Sequence, residues 1–103
     1  MNGQINLFDL LAQSTDPRPG DYVEISGREL SFDECVSRVG QIVIFDRSTE
    51  SHKWYQAMRI EKLVQTEDGR RLICYDGCKQ RALIGELYFN REVTRYPEIA
   101  YEI

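Results

Sequence analysis

Apolar positions along residues 21–103 fall into short blocks, and the spacing inside each block predicts its element. Residues 21–25 alternate apolar and polar, as a strand does, and Gly27 permits a turn before a brief return to strand at Glu29 and Leu30. Ser31 and Glu34 stand in the relation of a capping box. Phe32, Cys35, Val36 and Val39 then share one helical face, and Gly40 ends the helix. Residues 41–45 are apolar on both sides, which predicts a strand buried on both faces. Residues 46–51 read as a polar loop. Residues 53–65 predict a long strand in which Trp54, Met58, Ile60 and Val64 share a parity that Leu63 breaks, so a bulge or bend is expected near Glu61. The Asp68-Gly69 pair predicts a tight hairpin turn, with residues 71–75 returning as strand. A second turn follows at Asp76-Gly77. Residues 82–89 suggest one helical turn followed by a strand, and residues 98–103 a final strand at a sheet edge.

Five or six short strands with one small helix make an α+β chain, predominantly antiparallel β. The expected form is a small SH3-like barrel or a curled sheet, since so small a sheet has to curl or be covered to bury its apolar side. Residues 13–20 carry two prolines and a glycine among polar residues and read as a linker. Residues 1–20 are therefore a leader and linker, and residues 21–103 a β-rich domain.

The length of 103 residues suits one such domain, and 42% hydrophobic with 29% charged residues suits a globular one. No apolar run approaches the roughly 18 residues of a membrane span, and no secretory signal is visible. The three cysteines, Cys35, Cys74 and Cys78, are an odd number for a disulfide framework, so free thiols in a cytoplasmic protein are expected. Net charge is −4, unevenly placed: residues 1–50 hold nine acids and four bases, residues 51–103 eight acids and nine bases. That acidity argues against strong nonspecific binding to nucleic acid without excluding a local basic face.

The leader carries Gln4-Ile5-Asn6-Leu7-Phe8. This run resembles the short peptide by which bacterial replication and repair proteins hook onto the ring-shaped sliding clamp of DNA polymerase. The wider opening, residues 3–9, resembles that of small uncharacterised proteins carried by bacterial mobile elements. The resemblance implies a non-enzymatic accessory protein. Leu7 and Phe8 would be its apolar anchors, each worth about 1.5–3 kcal/mol when buried. Ile5 would add a smaller apolar contact and Gln4 an amide that donates and accepts. A micromolar complex, about −8 kcal/mol, is expected of so short a peptide. The alternative is a leader helix packed on the domain's own core, since Leu7, Leu10 and Leu11 also sit at helical spacing.

Other constellations add less. Cys35, Cys74, Cys78 and His52 have the composition of a zinc set, but two of the four stand alone and Cys35 falls on the apolar helix face, so no metal and no cofactor is expected. His52, the only histidine, has hydroxyls and Asp46 nearby in one loop, which does not by itself make a triad. Basic and aromatic residues concentrate after residue 52, and Tyr55, Arg59 and Arg71 are predicted to share one face of the hairpin, a pattern able to stack bases and hold phosphates.

Overall fold

The computed structural model describes residues 16–103, with the backbone alone at positions 81 and 82. Eight elements follow one another: β1 (Glu29–Leu30), α1 (Phe32–Val36), β2 (Ile42–Asp46), β3 (Tyr55–Thr66), β4 (Gly69–Tyr75), β5 (Gln80–Gly85), a 3₁₀ turn η1 (Glu86–Phe89) and β6 (Ala100–Tyr101). The strands form one antiparallel sheet in the order β1-β6-β2-β3-β4-β5. It is a curled, barrel-like sheet with little helix, the class the patterning predicts.

The capping box forms as expected: the Glu34 N–H donates to Ser31 Oγ at 3.1 Å, and the Ser31 N–H donates to Glu34 Oε1 at 3.0 Å. The helix is shorter than its apolar spacing suggests. It ends at Val36, and a turn runs through residues 37–40, leaving Val39 exposed. Gly40 does take the left-handed conformation, with φ of 90°. There it donates its N–H to the Ile60 carbonyl, so the turn serves to deliver the chain onto β3.

One side of the sheet holds the core. Val43 and Phe45 of β2, Met58 and Ile60 of β3, Leu72 and Cys74 of β4, and Ile84 of β5 are all buried there. Leu30, Phe32 and Cys35 cover them from the β1–α1 corner. Phe89 of η1 meets Phe32 edge-on at 5.3 Å, and Arg70 lies over the other ring at 5.1 Å while pairing with Asp33 and Glu86. Arg70 thereby ties the strand, the helix and the 3₁₀ turn at the open end of the curl.

The predicted bulge falls at Glu61: Ile60 pairs with Cys74 and Lys62 with Ile73, leaving Glu61 as the extra residue. Beyond it the parity reverses, so Leu63 sits across from the buried Leu72 and Val64 moves to the outer side. The hairpin turn at residues 67–68 joins Thr66 to Gly69, whose φ of 115° favours glycine.

Three expectations need correction. Residues 21–25 form no strand and make only a bridge, Tyr22 with Gln56. Gly20 and Val23 donate to the Ala57 and Tyr55 carbonyls, and the free edge of β3 ends where β4 takes it over at Arg59. In residues 80–89 the order is strand first, then helical turn. The last strand is internal, between β1 and β2, with Phe45 opposite Ala100 and Leu30 opposite Ala100 on its other side. Ala100 is buried in the core, so the pairing is enforced from the inside.

Gly20 and Gly77 pack back to back at the corner where the chain enters. Both have positive φ, 97° and 96°, and a Cβ on Gly20 would stand 2.5 Å from the Asp76 carbonyl oxygen. No helix among the described residues is long and apolar enough to cross a membrane.

Candidate functional site

The leader residues Gln4, Ile5, Leu7 and Phe8 lie outside the described residues. The three residues of the predicted sheet face are all described, and they do share the outer side. Tyr55 and Arg59 have the same parity on β3, and Arg71 joins them because it shares parity on β4 with Tyr75, the partner of Arg59. They do not converge. At about 3.3 Å per residue, Tyr55 lies roughly 13 Å from Arg59 along its strand. Arg59 pairs with Tyr75, and Arg71 is a further four residues along β4.

Their charges are largely committed. Arg59 Nε and Nη2 donate to the Glu61 carboxylate at 3.2 and 3.1 Å, and its guanidinium lies over the Tyr75 ring at 4.9 Å. The hydrogen bonds from Arg59 hold the Glu61 carboxyl below its ordinary proton affinity. Arg71 pairs with Asp68. Tyr55 meets Tyr101 edge-on at 6.3 Å. The outer side is thus a run of aromatic rings and paired cations, able to stack against flat groups but with little uncompensated positive charge.

The four metal-type residues are dispersed. Cys35 and Cys74 are buried in the core, Cys78 is exposed at the 76–78 turn and His52 is exposed on the β2–β3 loop. Among the described residues no three potential metal ligands gather. Burial raises the Cys35 thiol to about 11 and the Cys74 thiol to about 12, so both are inert packing groups.

A concave site that the sequence did not predict lies beyond the end of the core. The β2–β3 connection is an ordered arm: the Arg47 N–H donates to the Trp54 carbonyl at 3.0 Å and the Thr49 N–H to the His52 carbonyl at 2.8 Å. Asp46 Oδ1 accepts from the Ser48 N–H at 2.8 Å, and Ser48 Oγ accepts from the Trp54 N–H at 3.1 Å. These bonds carry the hairpin out past the sheet. Residues 95–99 run alongside, held by the Asp46 N–H to the Ile99 carbonyl at 2.9 Å and the Glu98 N–H to the Tyr88 carbonyl at 2.7 Å. Between arm and segment is a cleft of about 500 Å³. Arg47, Thr49 and Trp54 line it from the arm, and Arg95, Tyr96 and Glu98 from the opposite wall. The Tyr96 hydroxyl donates to Glu50 across its rim.

Trp54 is braced from behind by Tyr22, at 5.2 Å and 60°. Glu98 is half-buried; burial pushes its carboxyl above the ordinary range, nearby Arg47 opposes that shift and Asp46 adds to it. A cavity in the size range of small-molecule sites, with converging polar groups and a perturbed carboxyl, has the attributes of a binding site. The cue in the sequence is slight: Val43, Phe45 and Arg47 share a parity, so Arg47 projects on the core side just past the last core residue. Nothing local connects it to residues 95–99.

No protein-family model, no curated protein and no solved structure matches this chain. Its functional reading rests on its own residues.

Proposed function

We propose that this chain is a non-enzymatic accessory protein recruited to a bacterial DNA sliding clamp through Gln4, Ile5, Leu7 and Phe8. The observation that carries the reading is the run Gln4-Ile5-Asn6-Leu7-Phe8 ahead of a Pro/Gly linker and a separate β-rich domain. The point of attachment supports it. Gly20 donates its N–H to the Ala57 carbonyl at 2.7 Å, and the Gly20–Gly77 contact fixes the same corner, so a tether would end on a rigid body. Recruitment works by local concentration: a weak contact at the leader raises the occupancy of any second contact made by the domain.

In the decisive experiment a peptide of residues 1–12 competes with the full chain for purified clamp. The expected result is competition at micromolar peptide, lost when Leu7 and Phe8 are both replaced by Ala. A double variant that binds as well as the parent overturns the proposal.

A second reading, a small nucleic-acid-binding module, is favoured by the ring-on-cation arrangement of Arg59 over Tyr75 and by Tyr55 against Tyr101 on the outer side. It predicts salt-sensitive binding of single strands, lost in Tyr55→Ala and Arg59→Ala. Flat titrations at low salt remove it.

A further inference from the structure

Arginines in the described chain divide into two groups. Arg28, Arg38, Arg59, Arg70, Arg71 and Arg91 each take a carboxylate as an ion-pair partner. Arg18, Arg47 and Arg95 take none, and the last two both line the cleft between the β2–β3 arm and residues 95–99. Two uncommitted guanidiniums facing a common space are a means of gripping an oxyanion, because each presents parallel N–H donors that match carboxylate or phosphate oxygens.

Three carboxylates stand near them, and two of these, Asp46 and Glu98, line the same cleft. Asp46 already accepts the Ser48 N–H through Oδ1. Glu50 is engaged by the Tyr96 hydroxyl at the rim. Glu98 is the remaining one, and its burial disfavours the charged form, which lessens its competition for Arg47. The rest of the cleft is suited to a flat ring. Trp54 forms one wall, held in place by Tyr22, and Tyr96 stands opposite on the other segment with Arg95 packed against its ring at 5.6 Å. Thr49 adds a hydroxyl at the mouth. The space of about 500 Å³ accommodates a single nucleotide, whereas a phosphate alone would leave most of it empty.

We propose that this cleft binds a phosphorylated nucleoside, with the phosphate on Arg47 and Arg95 and the base against Trp54. The same chemistry is offered by a free nucleoside monophosphate and by the 5′-phosphorylated end of a strand. The site is separate from the leader and stands whether or not the leader binds a clamp.

Trp54 is the only tryptophan in the chain, so its fluorescence reports on the cleft directly. The full chain is titrated with adenosine 5′-monophosphate, adenosine and inorganic phosphate, and every titration is repeated by calorimetry in case the emission is insensitive. The nucleotide is expected to bind at least about tenfold more tightly than adenosine or phosphate alone, since each lacks one of the two contacts. Arg47→Ala and Arg95→Ala should each weaken it by about tenfold or more. Arg91→Ala, at an exposed arginine paired with Glu29 and away from the cleft, should bind as the parent does. A five-nucleotide oligodeoxyadenylate with and without its 5′-phosphate identifies the source. Tighter binding of the phosphorylated oligomer than of the monophosphate assigns the site to strand ends, and the reverse assigns it to free nucleotides. Flat traces in both fluorescence and calorimetry at millimolar nucleotide overturn the proposal. So does equal binding of adenosine and its monophosphate, or unchanged binding in both arginine variants that retain the parent's circular dichroism.

Discussion

The two sides of β3 are built from the same strand and do opposite things. On the inner side Met58 and Ile60 are buried among Phe45, Leu72 and Cys74, and no buried polar residue interrupts them. On the outer side Arg59 is tied up by Glu61 and Tyr75, and Tyr55 by Tyr101. The inner side supplies the cohesion of the fold through area removed from water. Apart from the buried Ala57 opposite Ile44, the outer side is held by contacts that solvent weakens, and individually they contribute little to stability. Binding chemistry should therefore tolerate change where the fold does not, and the cleft marks the boundary. Arg47 lies on the inner parity, one step beyond Phe45, where the core has run out and side chains reach space rather than neighbours.

The largest expected effect breaks the inner side. Phe45→Ala should cost about 3–5 kcal/mol in denaturant unfolding, because the ring leaves a cavity at a position with no solvent access. Next comes the entry corner: Gly20→Ala places a Cβ 2.5 Å from the Asp76 carbonyl at a left-handed residue, and should cost more than about 1 kcal/mol. Smaller is the pH response of Glu98. Its folded proton affinity is raised by burial, so binding the proton favours the native state over the unfolded one. The contribution is present below the unfolded value of about 4.3 and is lost as pH rises through the higher folded value. Glu98→Gln should flatten that slope in pH-dependent thermal melts. Arg59→Ala should be smallest, a shift in denaturant midpoint well below that of Gly20→Ala, because the Arg59–Glu61 pair is open to solvent and screened. If Arg59→Ala destabilised the chain as much as Phe45→Ala, the division between the two sides would be wrong.

What was legible in the sequence is what is decided locally. The capping box depends on two residues three apart, the hairpin turn on Asp68-Gly69, and the bulge on Leu63 breaking the parity of its strand. Each formed where expected. Residues 21–25 alternate as convincingly as a strand, yet they meet an edge of β3 that is free for only a few residues. Whether alternation becomes a ladder depends on a partner the segment cannot specify. The position of β6 between β1 and β2 is likewise set by Ala100 entering a core built from distant residues. The sharing of one face by Tyr55, Arg59 and Arg71 was readable, but Glu61 and Asp68 as their counter-charges required the fold. The cleft was hidden for a further reason. Its walls, Arg47 to Trp54 and Arg95 to Glu98, are brought together by the Asp46–Ile99 pairing and the Tyr96–Glu50 contact, which leave no periodic trace.

Recruitment by the leader is tested most directly by recording amide spectra of the isotopically labelled full chain with and without purified sliding clamp. Signals of residues 4–8 should broaden or shift while those of Met58, Ile60 and Leu72 stay in place. Unchanged leader signals at saturating clamp, or changes spread through the core strands alone, would contradict it.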